Sequence, residues 1–261
     1  MLVTDLTDTY SILGRLDEWL EELARPIVPP RRIDVGEDYF RLEFRQHLPH
    51  TVMIGKLVRA VSGIRAAFSL SETGYIAESG AVLRMVSDFC AEVGAIGGAL
   101  NRGGPLPRAV TDFVDQYFAP KQRTPEEYAA AERVRYVSRE DLMKSDIAAV
   151  VGSGNDVERT RLLRRFLNMS GDAYVHGAYE TTMELCEPRT GRFCLAGHPD
   201  SETRRTHLEF AALKLHEVVV AIELTAAVTS TARVFEAARN TRREMDQLEP
   251  WRLDNPVRSG R

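Results

Sequence analysis

Apolar residues recur at helical spacing along most of this chain, and this periodicity constrains the fold more than any other feature of the sequence. Near the N-terminus an apolar stripe recurs at i, i+1, i+4, i+7, i+8 and i+11, with acidic residues on the opposite face: Ile12, Leu13, Leu16, Trp19, Leu20 and Leu23. This spacing is typical of an amphipathic helix that buries one face. Pro26 ends the predicted helix, because proline has no N–H for the helical hydrogen bonds.

Other segments of the chain repeat the helical pattern. Gly74 separates two of them, and the glycines and prolines between 97 and 107 mark a loop after the second. Thr124 and Pro125 start a further helix, because a hydroxyl cap followed by proline is a typical N-terminal signal. The remaining predicted helices lie at about 51–70, 75–96, 110–118, 156–170 and 202–247.

Two short stretches change to the two-residue period of a β-strand. Apolar residues alternate with charged ones over 40–45, which predicts a hairpin over 33–44. A second hairpin is predicted over 185–195, because residues 188–191 form a turn sequence between two short apolar segments. The sequence therefore predicts an all-α, multi-helix bundle that carries two small β-hairpins.

The breaks in the pattern divide the chain into three predicted parts. Residues 1–122 form an N-terminal helical region with the first hairpin, and residues 123–248 form a second helical bundle. We expect the two to pack together as one globule, because a chain of 261 residues can enclose a substantial core. Residues 249–261 are polar and contain proline, which predicts a flexible tail.

Composition and motifs argue against several classes of function. The net charge of −4 gives no broad attraction to nucleic acid, although local basic patches remain open. Apolar runs are short, so we expect no membrane segment. Three cysteines without a disulfide or zinc spacing, and an N-terminus unlike a signal peptide, predict a cytoplasmic protein. Neither a phosphate-binding loop, a dinucleotide fingerprint nor a nucleophile elbow is present, and we expect no cofactor.

Two polar ladders stand out in the C-terminal half. One has a spacing of four and the other of seven, so that each would share a helical face: Asp172, His176, Glu180 and Glu184; and Glu202, Glu209, His216 and Glu223. Facing ladders could bind a metal ion through His176, Glu180, Glu209 and His216. The Glu-x-x-His pair of di-metal bundles is absent, because the residues three before the two histidines are Ala173 and Leu213. A salt-bridged surface with Arg204 and Arg205 is the competing interpretation.

Three runs of residues resemble a family of bacterial proteins without an established activity. They are Tyr174–Tyr179, which begins Tyr-Val-His, the hairpin end Gly191–Phe193, and the run Gly55–Arg65. The similarity covers most of the chain. It implies a bacterial origin and no particular function.

More remotely, residues 124–247 resemble the HEPN superfamily, whose members are helical bundles with a polar helix that ends near a Tyr-Val-His type segment. The resemblance implies an often dimeric protein of a toxin, defence or RNA-processing system. Active members are metal-independent ribonucleases with an arginine and a histidine four to six residues apart. The histidine would be His176, whereas the matching positions 169–171 hold methionine, serine and glycine instead of arginine.

Arg164 and Arg165 are the candidates for the missing cation. On a straight helix Arg165 would lie about 16 Å from His176. The two side chains could act on one phosphate only if the chain bends near Gly171 or if a second subunit supplies the arginine. Such catalysis needs an acid or base at the 2′-oxygen and leaving oxygen, and a cation for the charge that builds on phosphorus. A structural role for His176 inside the bundle is the alternative.

Three hypotheses about function remain open at this point. The leading one is an HEPN-like helical protein that acts by self-association or protein interaction, in a stress or defence context. The alternatives are a metal-independent ribonuclease, with RNA as partner and His176 joined by Arg164, Arg165 or Arg204, and a metal-binding helical bundle. The residues predicted to bind a partner or substrate are Tyr174, Tyr179, Arg204, Arg205 and His216.

Overall fold

A computed structural model describes residues 6–34, 40–119, 137, 141–142, 171–187, 189–198 and 202–247. Within them the predicted all-α bundle with two small β-hairpins is confirmed. The helices are α1 (Leu6–Ala24), α2 (Pro49–Thr73), α3 (Ile76–Asn101), α4 (Arg108–Phe118), α5 (Tyr179–Met183), α6 (Glu202–Val228) and α7 (Ala232–Gln247). The strands are β1 (Arg31–Asp34), β2 (Phe40–Glu43), β3 (Cys186–Glu187) and β4 (Arg192–Phe193), and residues 171–175 are also helical.

Helix α3 is the centre of the bundle. Its exposed residues are Glu78, Met85 and Asn101, and the rest of the helix is buried or half-buried. It packs against α2 on one side and α6 on another, while α1 and α7 lie outside these three. Leu83 and Val93 are fully buried in the core that α2, α3 and α6 share. A helix that is buried on nearly every side occupies the central position, and its charged residues Arg84, Asp88 and Glu92 each form an ion pair there.

Helix α3 extends past its predicted end. The prediction that Gly97 and Gly98 lie in a loop is wrong, because both are inside the helix. A Cβ atom on Gly97 would lie 2.8 Å from Leu224 and 2.9 Å from Met53. Because Gly97 has no side chain, α6 and α2 can approach α3 closely. This close packing explains why glycine occurs here, although glycine is intrinsically unfavourable inside a helix.

The break between α2 and α3 is confirmed at Gly74. This residue has φ +84°, and the cap N–H groups donate to the carbonyls of Leu70 and Ser71. A left-handed residue with such hydrogen bonds ends many helices, and glycine adopts that conformation without steric cost. The turn places α2 and α3 antiparallel and side by side.

The prediction of one uninterrupted helix over 202–247 is wrong. The chain leaves the helix at Thr229–Thr231, where Ser230 has φ +55°, and starts again as α7. The Thr229 hydroxyl donates to the carbonyl of Thr225 at 2.9 Å, a side-chain bond that competes with regular helical geometry. Helix α7 then folds back along α6, where Arg242 pairs with Glu223.

Both hairpins are antiparallel and short. In the first, Arg31 lies opposite Glu43 and Asp34 opposite Phe40, so the hairpin begins two residues before its predicted start at residue 33. In the second, Cys186 lies opposite Phe193 and Glu187 opposite Arg192.

Residues 171–198, which include α5 and the second hairpin, are fastened along the first half of α3. The Tyr174 ring packs on Gly80, where a Cβ atom would lie 2.4 Å from it. Gly197, at φ +86°, would place a Cβ atom 2.6 Å from the carbonyl oxygen of Thr73. The His198 N–H donates to the Gly74 carbonyl at 2.9 Å. The segment is therefore held at both of its ends.

Several predictions concern other parts of the chain. The helix that starts at Thr124, the helix over 156–170, the boundary near 122 and the tail over 249–261 lie outside the described residues.

Candidate functional site

The predicted ladder at a spacing of four does not exist as one helical face. The helical turns that carry Asp172 end before Gly177, which has φ +61°, and a separate short helix, α5, follows. His176 lies at this break, and its side chain is exposed. The interpretation of His176 as a histidine bonded inside the bundle is therefore wrong.

Asp172 contacts the central helix. The Arg84 Nε donates to the Asp172 carboxylate at 2.7 Å, and Arg84 also pairs with Asp88 one turn along α3. Arg84 is only 8% exposed, and Gly171 packs against its aliphatic part. An arginine that is buried this deeply requires paired carboxylates, because an isolated buried charge is costly.

Tyr174 forms a compact polar cluster with Glu184, which is ten residues later in the sequence, and with His207, which is 33 residues later. Its hydroxyl lies 3.0 Å from Glu184 Oε1 and 2.9 Å from His207 Nε2. His207 Nε2 is also 3.4 Å from Glu184 Oε2, and the Tyr174 and His207 rings meet edge to face at 5.2 Å. Burial raises the pKa of Tyr174, and the neighbouring charge of Glu184 raises it further. The phenol is therefore neutral and available as a donor.

The geometry favours one direction for these hydrogen bonds. A tyrosine hydroxyl has one proton, and the carboxylate of Glu184 is the stronger acceptor for it. His207 Nε2–H then donates to the Tyr174 oxygen. His207 is 3% exposed, and its Nδ1 has no partner among the described residues. The cluster thus connects α6 to residues 174–184 through His207, which contacts both Tyr174 and Glu184.

His207 did not stand out in the sequence as a candidate residue, although a signal for it was present. It begins a stripe on α6 that continues through Ala211, Leu215 and Val218, all of which are buried. A polar residue at a core position of an amphipathic helix indicates a buried hydrogen-bonded group. Lys214, on the same helix, is also 3% exposed and pairs with Glu217 at 2.7 Å.

The predicted binding residues on α6 are occupied by ion pairs or packing. Arg205 pairs with Glu209 at 3.2 Å, and His216 Nε2 lies 2.8 Å from Asp246 on α7. Arg204 is half-buried. The competing interpretation of a salt-bridged surface therefore describes this part of the ladder at a spacing of seven.

A metal site finds no support in the part of the chain that the structure describes. There, no group of three or more histidine, cysteine, aspartate or glutamate side chains could hold a metal ion. The side chain of Glu180 and the residues Arg164 and Arg165 are outside the described part.

Large apolar side chains are exposed in the region of the second hairpin. We call the following set the hairpin patch: Val175, Tyr179, Met183, Phe193 and Leu195. Tyr179 is 75% exposed and Leu195 is 83% exposed. The Cys194 N–H donates to the Leu185 carbonyl at 2.7 Å, so the hydrogen bonding of the second hairpin extends one residue beyond the paired strands. Exposed apolar residues that are grouped in this way commonly mark an interaction surface.

Among the helices of the described residues, none is both long and apolar enough to cross a membrane.

Comparison with known proteins leaves the chain without a family assignment. No protein-family model, no curated protein and no solved structure shows a significant similarity to it.

Proposed function

We propose that the protein acts by association with a second copy of itself, through the hairpin patch. The observation that carries this proposal is the exposure of five large apolar side chains within one short segment. Removing such a side chain from water contributes about 1.5–3 kcal/mol, which gives a strong drive to cover the patch. The remote HEPN resemblance, with its often dimeric members, supports the same function and implies a stress or defence context.

The patch is suited to recognition because its support is held in place. The segment that carries it is fastened to α3 by the ion pair between Asp172 and Arg84, and to α6 by Tyr174 and His207. Side chains on a preorganised support lose less conformational freedom on binding. An apolar surface on a fixed segment therefore supports specific association better than one on a free chain end.

The charges around the patch favour a second copy as the partner. Arg189 and Arg192 form no ion pair within the described residues, and Glu187, opposite Arg192 in the hairpin, accepts a hydrogen bond from Thr190 at 2.6 Å. In a two-fold contact the same surface is used by both copies: if one residue of the first copy contacts a second residue of the other copy, the reverse contact forms as well. Positive and negative groups on one hairpin can then pair between the two copies.

The test is the molar mass of the full chain by light scattering during size exclusion, from about 1 to 100 μM. We expect a dimer for the wild-type chain. The double variant Tyr179→Asp with Leu195→Asp should be a folded monomer, with dimerisation weakened by more than about 100-fold, because two charges would be buried without partners. The matched control is Leu42→Asp on the first hairpin, a leucine that is also exposed, at 63%, and it should remain dimeric.

A wild-type chain that is monomeric throughout this range would contradict the proposal. A dimer that tolerates both substitutions in the hairpin patch would place the contact elsewhere and would contradict it equally.

A second candidate function is a metal-independent ribonuclease that uses His176. The observation that favours it is the exposure of the imidazole at the end of a helical turn, where a substrate can reach it. An exposed histidine can act as general acid or base near neutral pH. This function requires RNA cleavage that persists with a chelator and is lost in His176→Ala, whereas cleavage by that variant at the wild-type rate would refute it.

A further inference from the structure

Strand β4 forms an open edge of the second hairpin. Both of its residues, Arg192 and Phe193, are exposed, whereas the two residues of β3 are half-buried. A Cβ atom on Gly191, the residue before β4, would meet no atom within 4 Å. The side of β4 that faces away from β3 is therefore accessible to a further strand.

The backbone of Phe193 points towards this open edge. Phe193 lies opposite Cys186, and the N–H of the next residue, Cys194, donates to the Leu185 carbonyl at 2.7 Å. In an antiparallel pair, positions that exchange hydrogen bonds with the opposite strand alternate with positions that do not. Because Cys194 bonds to the opposite strand, Phe193 is a position of the other kind. Its N–H and C=O are therefore directed away from β3.

The polar groups along this edge lack acceptors and donors within the described residues. The Phe193 backbone makes no hydrogen bond there to a residue outside the hairpin, and the Leu195 N–H and the Gly191 C=O make none at all. The Gly191 N–H, by contrast, is used, because it donates to the Glu187 carbonyl at 2.8 Å. An exposed edge with unpaired backbone groups and apolar side chains is a template for the addition of a strand.

From this geometry we infer that two copies of the chain pair their β4 strands antiparallel, with Phe193 opposite its own counterpart on the two-fold axis. The inference rests on the proposed self-association through the hairpin patch and specifies how that contact is made. The Phe193 N–H of each copy donates to the Phe193 C=O of the other, and the Leu195 N–H donates to the Gly191 C=O. The two hairpins then form one four-stranded sheet across the axis.

The edge favours a second copy as its occupant because it complements itself. In this register the unpaired donors at Phe193 and Leu195 meet the unpaired acceptors at Phe193 and Gly191, and the two Phe193 rings lie side by side. A register shifted by two residues would place Phe193 opposite Leu195. Leu195 is not extended, because it lies in the turn that the Gly197 N–H closes on the Cys194 carbonyl at 3.3 Å.

The first test removes the Phe193 N–H from the full chain. Phe193→Pro leaves the bonds within the hairpin intact, because they do not use this N–H, and an edge strand tolerates proline where the N–H faces solvent. Phe193→Ala is the matched control, since it removes the same ring but keeps the N–H. Light scattering during size exclusion should show dimerisation at least about tenfold weaker in Phe193→Pro than in Phe193→Ala, because each dimer loses two backbone hydrogen bonds.

The second test traps the register through Cys194, which is a free cysteine. The pairing places Arg192 opposite Cys194 of the second copy, with Cα atoms about 4.5 Å apart, a separation that a disulfide can span. In Arg192→Cys, diamide should remove one hydrogen from each of the two facing thiols and give a covalent dimer on a non-reducing gel. The wild-type chain and the double variant Arg192→Cys with Cys194→Ser are the controls, and neither should cross-link.

The outcomes distinguish this inference from the proposed self-association. A wild-type dimer that is weakened equally by Phe193→Pro and Phe193→Ala, or that gives no covalent dimer in Arg192→Cys, would overturn the strand pairing and leave self-association intact. Equal cross-linking of the wild-type chain would overturn the register. A monomeric wild-type chain would contradict both, and it would leave the edge of β4 to an extended segment of a different protein.

Discussion

The three long helices and the segment of residues 171–198 are held in the protein by different forces. Helices α2, α3 and α6 share a core in which Leu57, Leu83 and Leu215 have no exposed surface. The 171–198 segment is attached by an ion pair, a tyrosine hydroxyl and two close glycine contacts, while its large apolar side chains face outward. The comparison indicates that the core of the three long helices provides most of the stability of the fold. The 171–198 segment is attached to this core, and its outward-facing surface is free for recognition.

The two regions also treat charge differently. Within the long helices, Arg84 and Lys214 are nearly inaccessible, and each is paired with a carboxylate. On the segment, Arg189 and Arg192 are exposed and make no ion pair among the described residues. Buried charges must be neutralised within the fold, while exposed charges are free to contact a partner.

Truncation of a core side chain should have the largest effect and should destabilise the long helices and the 171–198 segment together. In Leu83→Ala we expect a loss of about 3 kcal/mol in the free energy of unfolding, because the substitution leaves a cavity against α2 and α6. Urea denaturation checks this value. Met85→Ala, two residues along the same helix and exposed, is the control and should change stability by less than about 0.5 kcal/mol. Similar losses for the two variants would show that α3 is not the centre of the core.

A Cβ atom at Gly80 should affect the 171–198 segment without affecting α2. In Gly80→Ala the new methyl group would lie 2.4 Å from the Tyr174 ring, so the ring must move. We expect a loss of about 2 kcal/mol and faster hydrogen exchange over 171–198, with exchange in α2 unchanged. Gly14→Ala is the control, because no atom lies within 4 Å of its Cβ position, and it should stabilise α1 slightly. Unaltered exchange in the segment would mean that Tyr174 does not fasten it.

Removal of one hydroxyl should have the smallest effect and sharpen the comparison further. Tyr174→Phe keeps the ring on Gly80 but removes the hydrogen bonds to Glu184 and His207. We expect a loss of about 1 kcal/mol and faster exchange at the second hairpin alone. Tyr179→Phe, at an exposed tyrosine, should have no measurable effect. Equal values for the two variants would show that the polar cluster contributes nothing to the attachment.

Much of the fold could be predicted because its signals are local. The apolar stripe of α1, the stop at Gly74 and the alternation in β2 each involve residues that are close in sequence. The errors arose where packing between distant segments outweighed local preference. Gly97 was predicted to lie in a loop, but it lies in α3, where two other helices approach it closely. The break at Ser230 could not be predicted, because neither glycine nor proline marks it.

The candidate sites depended on tertiary structure to a greater degree. Tyr174 was predicted as a binding residue, yet its partner His207, 33 residues later, was not identified from the sequence. The imidazole of His47, which stacks on the Phe118 ring at 4.3 Å between centroids, likewise meets a residue that is far away in the chain. Spacing along a sequence shows which residues share a helical face, but it does not show which faces meet.

The sequence by itself determined the fold class and the position of the helices and hairpins apart from the end of α3 and the break at Ser230, because the spacing of apolar residues and the turn residues act over a few positions. Only the tertiary structure decided which polar groups are buried together, as in the cluster of Tyr174, Glu184 and His207. It also decided which apolar side chains remain in water, as in the hairpin patch. The physical reason is that burial and hydrogen bonding depend on all the elements that pack around a residue, and those elements come from distant parts of the chain.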